Sequence, residues 1–119
     1  MAKILIVEDE YVLTMLYEVV LEQRGHEVVG IAPSLAQAQE KLTEFKPDLV
    51  ILDLHLKNNE NGLELIETIQ KAKAKIIVVT SDHRDEIHHQ IQQKGVDRVF
   101  TKPLNRYDFL RAIEELSVN

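Results

Sequence analysis

Four compact aliphatic runs divide the chain at regular intervals: Ile4-Leu5-Ile6-Val7, Val28-Val29-Gly30-Ile31-Ala32, Leu49-Val50-Ile51-Leu52 and Ile76-Ile77-Val78-Val79, with a weaker fifth at Val99-Phe100. Continuous apolar runs without polar alternation suit strands of a parallel sheet covered by helices, because neither face meets water. Between the runs the period changes. Leu13, Leu16 and Val20; Leu35, Ala38, Leu42 and Phe45; Leu65, Ile66 and Ile69; Ile87 and Ile91; and Phe109, Ile113 and Leu116 recur at the spacing of a helix with one apolar stripe. The punctuation agrees. Ser34 with Gln37 reads as a capping box opening the second helix, Pro47 stops that helix, and Gly25 and Gly95 stand where a helix closes on a left-handed residue.

Strand and helix thus alternate five times. The pattern predicts an α/β fold, an open doubly wound five-stranded parallel sheet with helices on both faces, the flavodoxin-like (βα)5 three-layer sandwich. A closed eightfold barrel needs about twice the length. The 119 residues contain no linker, repeat or low-complexity tract and suit one domain spanning 1–119. Sheets of this kind bind ligands beyond the carboxyl ends of their strands, so chemistry is expected at the residue that ends each strand.

Those ends carry a consistent set of groups. The first strand ends in Glu8-Asp9, the third in Asp53, the fourth in Thr80-Ser81 and the fifth in Lys102-Pro103. Two carboxylates ~4 Å apart repel by ~4 kcal/mol at an effective dielectric near 20, so three on one rim call for protons or a cation. An all-oxygen donor set selects a hard ion such as Mg2+ over zinc or copper. Mg2+ beside a lone amine suggests phosphoryl transfer, with Asp53, which stands alone at the end of the most apolar strand, as nucleophile and Glu8 and Asp9 as joint metal ligands.

Composition narrows the classes further. With 45% hydrophobic and 29% charged residues the chain is ordinary globular, and without cysteine it offers no thiol catalysis, thiolate metal site or disulfide. Fourteen basic against twenty acidic residues give a net charge of −6, which argues against direct binding to nucleic acid. No apolar run is long enough for a membrane span and no signal-peptide pattern opens the chain, so a cytoplasmic protein without membrane contact is expected.

Five separated segments together resemble the response-regulator receiver domain of two-component signalling: Ile6-Val7-Glu8-Asp9 with Glu10, Val50-Ile51-Leu52-Asp53-Leu54-His55-Leu56, Gly62-Leu63-Glu64-Leu65, Val78-Val79-Thr80-Ser81, and Phe100-Thr101-Lys102-Pro103. The likeness runs from Lys3 to about Ser117 and is closest in kind to single-domain chemotaxis regulators. It implies a phosphoprotein of phosphorelay signal transduction that takes a phosphoryl group on Asp53, in a Mg2+-dependent reaction, from a histidine kinase or histidine phosphotransfer protein. It implies no enzyme acting on a separate substrate, only self-phosphorylation and self-dephosphorylation. By the same resemblance Glu8, Asp9, Asp53 and the carbonyl of His55 bind the metal and Thr80 and Lys102 contact the phosphoryl group. Phe100 with Thr80 forms the switch toward a downstream protein target, and the Lys102–Pro103 bond is cis. Phosphorylation-linked pairing of two copies would use the fourth helix, fifth strand and fifth helix.

The loop after Asp53 departs from the family pattern, with no proline at Lys57 and with Gly62 one residue later than usual. Taken singly, each motif has a purely structural explanation: acids capping a helix, a loop before the fourth helix, a strand end before a turn. Those explanations leave Asp53, an acid ending a buried strand, unaccounted for. Two other readings keep part of the chemistry, an Mg2+-dependent phosphohydrolase with an aspartyl nucleophile and a receiver-like binding module that is never phosphorylated. His83, His88 and His89 read as the solvated face of a polar helix. The first helix carries more apolar residues than one stripe needs, so Met15 and Val19 are candidates for an outward docking patch.

Overall fold

The computed structural model describes Met1–Ser117; Val118 and Asn119, the last two positions of the expected 1–119 domain, lie outside the described residues. The strands are β1 (Lys3–Val7), β2 (Glu27–Ala32), β3 (Leu49–Asp53), β4 (Lys75–Thr80) and β5 (Arg98–Thr101). The helices are α1 (Tyr11–Gln23), α2 (Leu35–Phe45), α3 (Ile66–Lys71), α4 (Asp85–Gln93) and α5 (Arg106–Leu116). All strand pairs are parallel, in the order β2-β1-β3-β4-β5. The predicted doubly wound five-stranded sheet is the one observed.

Alternate residues of each central strand feed opposite cores, as the pleat requires. Leu5, Val7, Val50, Leu52, Ile76 and Val78 meet Ala38, Leu42, Ile66, Ile69 and Ile91 on one face. Ile4, Ile6, Leu49, Ile51, Ile77 and Val79 meet Tyr17, Leu21, Phe109 and Ile113 on the other. Each fully buried aliphatic side chain contributes ~1.5–3 kcal/mol relative to exposure. This double burial explains the unbroken apolar runs of β1, β3 and β4. The edge strands β2 and β5 differ from the expectation of burial on both faces, since most of their residues are only half-buried.

Helix ends follow local chemistry. Gly25 and Gly95 have φ of 84° and 75°, the left-handed closure expected of them. The Ser34 hydroxyl accepts from Gln37 N at 3.3 Å, but Gln37 answers the Ser34 hydroxyl rather than its backbone N–H, so the capping box is only half formed. Lys46 takes φ of 46° after α2, and Pro47 follows. Leu65 belongs not to α3 but to a tight 3-10 turn, Gly62–Leu65, whose entry is fixed by Asn61 Oδ1 accepting from Leu63 N at 2.9 Å.

The inward face of α1 is rotated from the spacing read in the sequence. Thr14, Tyr17 and Leu21 are buried and Leu13 and Val20 pack partly buried against the core, whereas Leu16 is about half exposed with Met15 and Val19, beside strongly exposed Tyr11 and Val12. A helix apolar almost all round gives periodicity little to choose between, and the Tyr17 ring settles the rotation by packing on Phe109, centroids 5.5 Å apart. His83 likewise falls outside its expected helix, in the loop before α4.

Candidate functional site

Parallel pairing of β1 with β3 and of β3 with β4 aligns their carboxyl ends. The ladder continues past β1, where Glu8 N donates to Ala32 O at 3.0 Å, and past β5, where Lys102 N donates to Thr80 O at 2.8 Å. Glu8, Asp53 and Thr80 are therefore held on rigid backbone, and all three are at most 4% exposed. Asp9 and Lys102 are half-buried at the crevice mouth.

The acids converge. Carboxylate oxygens of Glu8, Asp9 and Asp53 lie within 4.8 Å of one another. The Lys102 ammonium reaches between two of them, 3.2 Å from Glu8 Oε1 and 3.1 Å from Asp53 Oδ2, with Glu10 Oε1 at 3.9 Å. The second oxygens are held by backbone: Glu8 Oε2 accepts from Asp9 N (3.1 Å) and Glu10 N (3.2 Å), and Asp53 Oδ1 accepts from His55 N (3.0 Å). These bonds discriminate against a mere helix cap, because Glu10, the residue in the capping position of α1, makes no side-chain cap.

One ammonium between two buried carboxyl groups leaves a deficit of positive charge. Burial, reinforced by hydrogen bonding to and the charge of Asp53, pushes the Glu8 carboxyl up to about 8 despite Glu10 N–H and Lys102. Burial opposes the charge on Lys102, but Asp53 and Glu8 together outweigh it and raise its pKa. An oxygen-only donor set in this state suits a hard divalent cation, and Glu8, Asp9 and Asp53 are the residues that would hold it.

Thr80 stands one strand away. Its hydroxyl accepts from Asp82 N at 3.0 Å, and among the described residues it makes no hydrogen bond to Asp53. Phe100 is half-buried on β5, edge-on to Phe109 at 5.8 Å between centroids. The Lys102–Pro103 bond is cis. The His55 backbone joins the Asp53 loop, and its imidazole lies 3.9 Å from Asp82 across the crevice. Asp82 is also gripped by Arg84, whose hydrogen bonds hold its carboxyl well below the usual carboxylate range.

The departure in the loop has a local solution. Asn58 and Asn59 take φ of 60° and 58°, a left-handed pair that asparagine tolerates better than most residues, and they absorb the extra position. The chain then returns so that Gly62 N donates to Leu54 O at 2.7 Å. A Cβ on Gly62 would come within 2.5 Å of the Asp53 carbonyl oxygen, so only glycine permits this approach. Tyr17 carries no signal of its own in the sequence, where it is one more largely apolar side chain of α1. Its hydroxyl is buried and, among the described residues, has no hydrogen-bond partner.

Fold and site together define a receiver domain, and the comparisons agree: the response regulator receiver domain family matches residues 4–114, and the chain belongs to it. Among relatives, the chemotaxis protein CheY of Bacillus subtilis is 31% identical over 115 residues, covering 95% of each chain, and CheY of Thermotoga maritima is 29% identical over 97% of each. The transcriptional regulatory protein PdtaR of Mycobacterium tuberculosis is 30% identical over 94% of this chain, which spans only about half of that protein, 55%. A solved CheY-like receiver from Methanospirillum hungatei superposes with a TM-score of 0.85 at 30% identity, covering 95% of this chain and 90% of that one.

Proposed function

We propose that Asp53 is the phosphoacceptor of a phosphorelay, taking its phosphoryl group from a phosphohistidine on a histidine kinase or phosphotransfer protein. The observation that carries this reading is the Lys102 ammonium held 3.1 Å from Asp53 Oδ2 in a crevice that also gathers Glu8 and Asp9. An Asp53 carboxylate oxygen attacks phosphorus in line, a P–O bond forms as the P–N bond breaks, and the electron pair leaves on the imidazole, which takes up a proton. Lys102 stabilises the charge on the transferring oxygens. Glu8, Asp9, Asp53 and the His55 carbonyl would hold Mg2+, which would supply further neutralisation of that charge.

Thr80 and Phe100 then act as the switch. Rotation of the Thr80 hydroxyl toward the phosphoryl group loosens its bond to Asp82 N and biases the arrangement of α4, β5 and α5 that a downstream protein target meets. The setting is cytoplasmic, and among the described residues no helix is long and apolar enough to cross a membrane. The deciding experiment treats the protein with acetyl phosphate, with and without Mg2+, and maps the adduct by mass spectrometry. One Mg2+-dependent adduct on Asp53, absent in Asp53→Asn, is the expected result. Multiple turnover on a phosphomonoester, or no adduct at all, would favour the phosphohydrolase or the unphosphorylated binding module instead.

A further inference from the structure

Tyr17 sits two turns into α1, and helical side chains lean toward the N-terminus of their helix, here the end that abuts the acidic crevice. Tyr17 and Lys102 line the same groove of about 310 Å³, with Glu10, Leu13, Pro103 and Leu104. The phenol carries a standing deficit there, because its hydroxyl is buried and without a partner among the described residues. Burial first, then the charges of Glu8, Asp53 and Glu10, keep it protonated far above its ordinary range, so its oxygen stays a neutral acceptor.

Lys102 acquires the matching deficit on cation binding. Its short contacts are both to carboxylates, Glu8 at 3.2 Å and Asp53 at 3.1 Å. Once those carboxylates share their charge with a divalent cation, the ammonium faces like charge on one side and both of its carboxylate contacts weaken. We propose that Tyr17 is a positioning residue for Lys102: its hydroxyl oxygen accepts from the displaced ammonium and holds it on the inner, α1 side of the crevice. Two groups that are each under-bonded in complementary states then satisfy one another. The inference rests on the proposed cation site but not on phosphoryl transfer.

The test titrates Mg2+ alone into the intact chain while following near-ultraviolet tyrosine absorption and, separately, affinity by calorimetry. Tyr11 and Tyr107 are about three-quarters exposed and there is no tryptophan, so a signal from a buried tyrosine belongs to Tyr17. In wild type, Mg2+ shifts that band to the blue, because a cationic donor on the phenol oxygen lowers the ground state more than the excited state; in Tyr17→Phe Mg2+ binds about fivefold more weakly, the loss of one modest hydrogen bond. Without cation, Tyr17→Phe melts at the wild-type temperature or above, since only an unpartnered hydroxyl is removed. Lys102→Ala also abolishes the blue shift. Mg2+ affinity in Tyr17→Phe equal to that of wild type, no blue shift in wild type, or a lower melting temperature of Tyr17→Phe in chelator, overturns the proposal. Asp53 modification is measured in parallel: a blue shift without an adduct sinks the phosphoacceptor reading alone, and an adduct without a blue shift sinks the Tyr17 role alone.

Discussion

Replacing Glu8 by Gln in cation-free protein tests the electrostatics of the crevice directly. Glu8 is raised from 4.5 to about 8, so between those values the folded chain holds a proton that the unfolded chain releases. Stability therefore falls as pH rises through that window, by at most ~1.36 kcal/mol per pH unit. The crevice opens to water at Asp9 and Lys102, and we discount for that screening to a total of about 2 kcal/mol. For a domain of this size that corresponds to roughly 8 °C in melting temperature. Gln keeps the shape and cannot ionise. Thermal melts in chelator from pH 5 to pH 8 should show wild type losing stability relative to Glu8→Gln, with the gap opening steadily toward pH 8. Taking the difference between the two proteins cancels the five histidines common to both. Parallel curves, or a gap that closes with rising pH, would refute the claim that Glu8 is a strained, partly protonated acid.

Other outcomes follow from the same geometry. Asp53→Asn should raise the melting temperature in chelator, because it removes one of two buried acids competing for Lys102, and should abolish the acetyl phosphate adduct. Mg2+ at about one hundred times its dissociation constant should stabilise wild type by ~2.7 kcal/mol in denaturant titrations, and Asp53→Asn by less. Gly62→Ala should cost ~1–3 kcal/mol and slow phosphorylation, since its methyl group meets the Asp53 carbonyl. His26→Ala should destabilise by ~1–3 kcal/mol, leaving Ala2 N without the 3.0 Å acceptor that His26 Nδ1 provides, while phosphorylation of the folded fraction is unchanged.

The architecture was legible because parallel strands buried on both faces impose a pattern with few alternatives. Val50-Ile51-Leu52 followed by Asp53 could hardly be anything but a central strand delivering an acid to a rim. Rotation of α1 was not legible: with Leu13, Leu16, Tyr17 and Val20 all apolar, the choice among them is made by Phe109, 92 residues beyond Tyr17, and no local period encodes it. The ammonium at Lys102 could be placed on the rim but not between Glu8 and Asp53, because a flexible side chain's end point depends on charges from two other strands. The unpartnered Tyr17 hydroxyl left no trace in the sequence for a similar reason, since a polar atom at the tip of an aromatic ring shows its deficit only when every neighbour is in place.

The left-handed pair Asn58-Asn59 and the close seat of Gly62 divide the labour within one loop. Extra length bulges outward at the asparagines, while the glycine clamps the returning chain against the backbone of the acid. The loop at exposed Lys57, Asn58 and Asn59 can thus take insertion or substitution without shifting the Asp53 backbone against which Gly62 packs. Length is free to vary on the outside of the loop while the inner contact stays fixed.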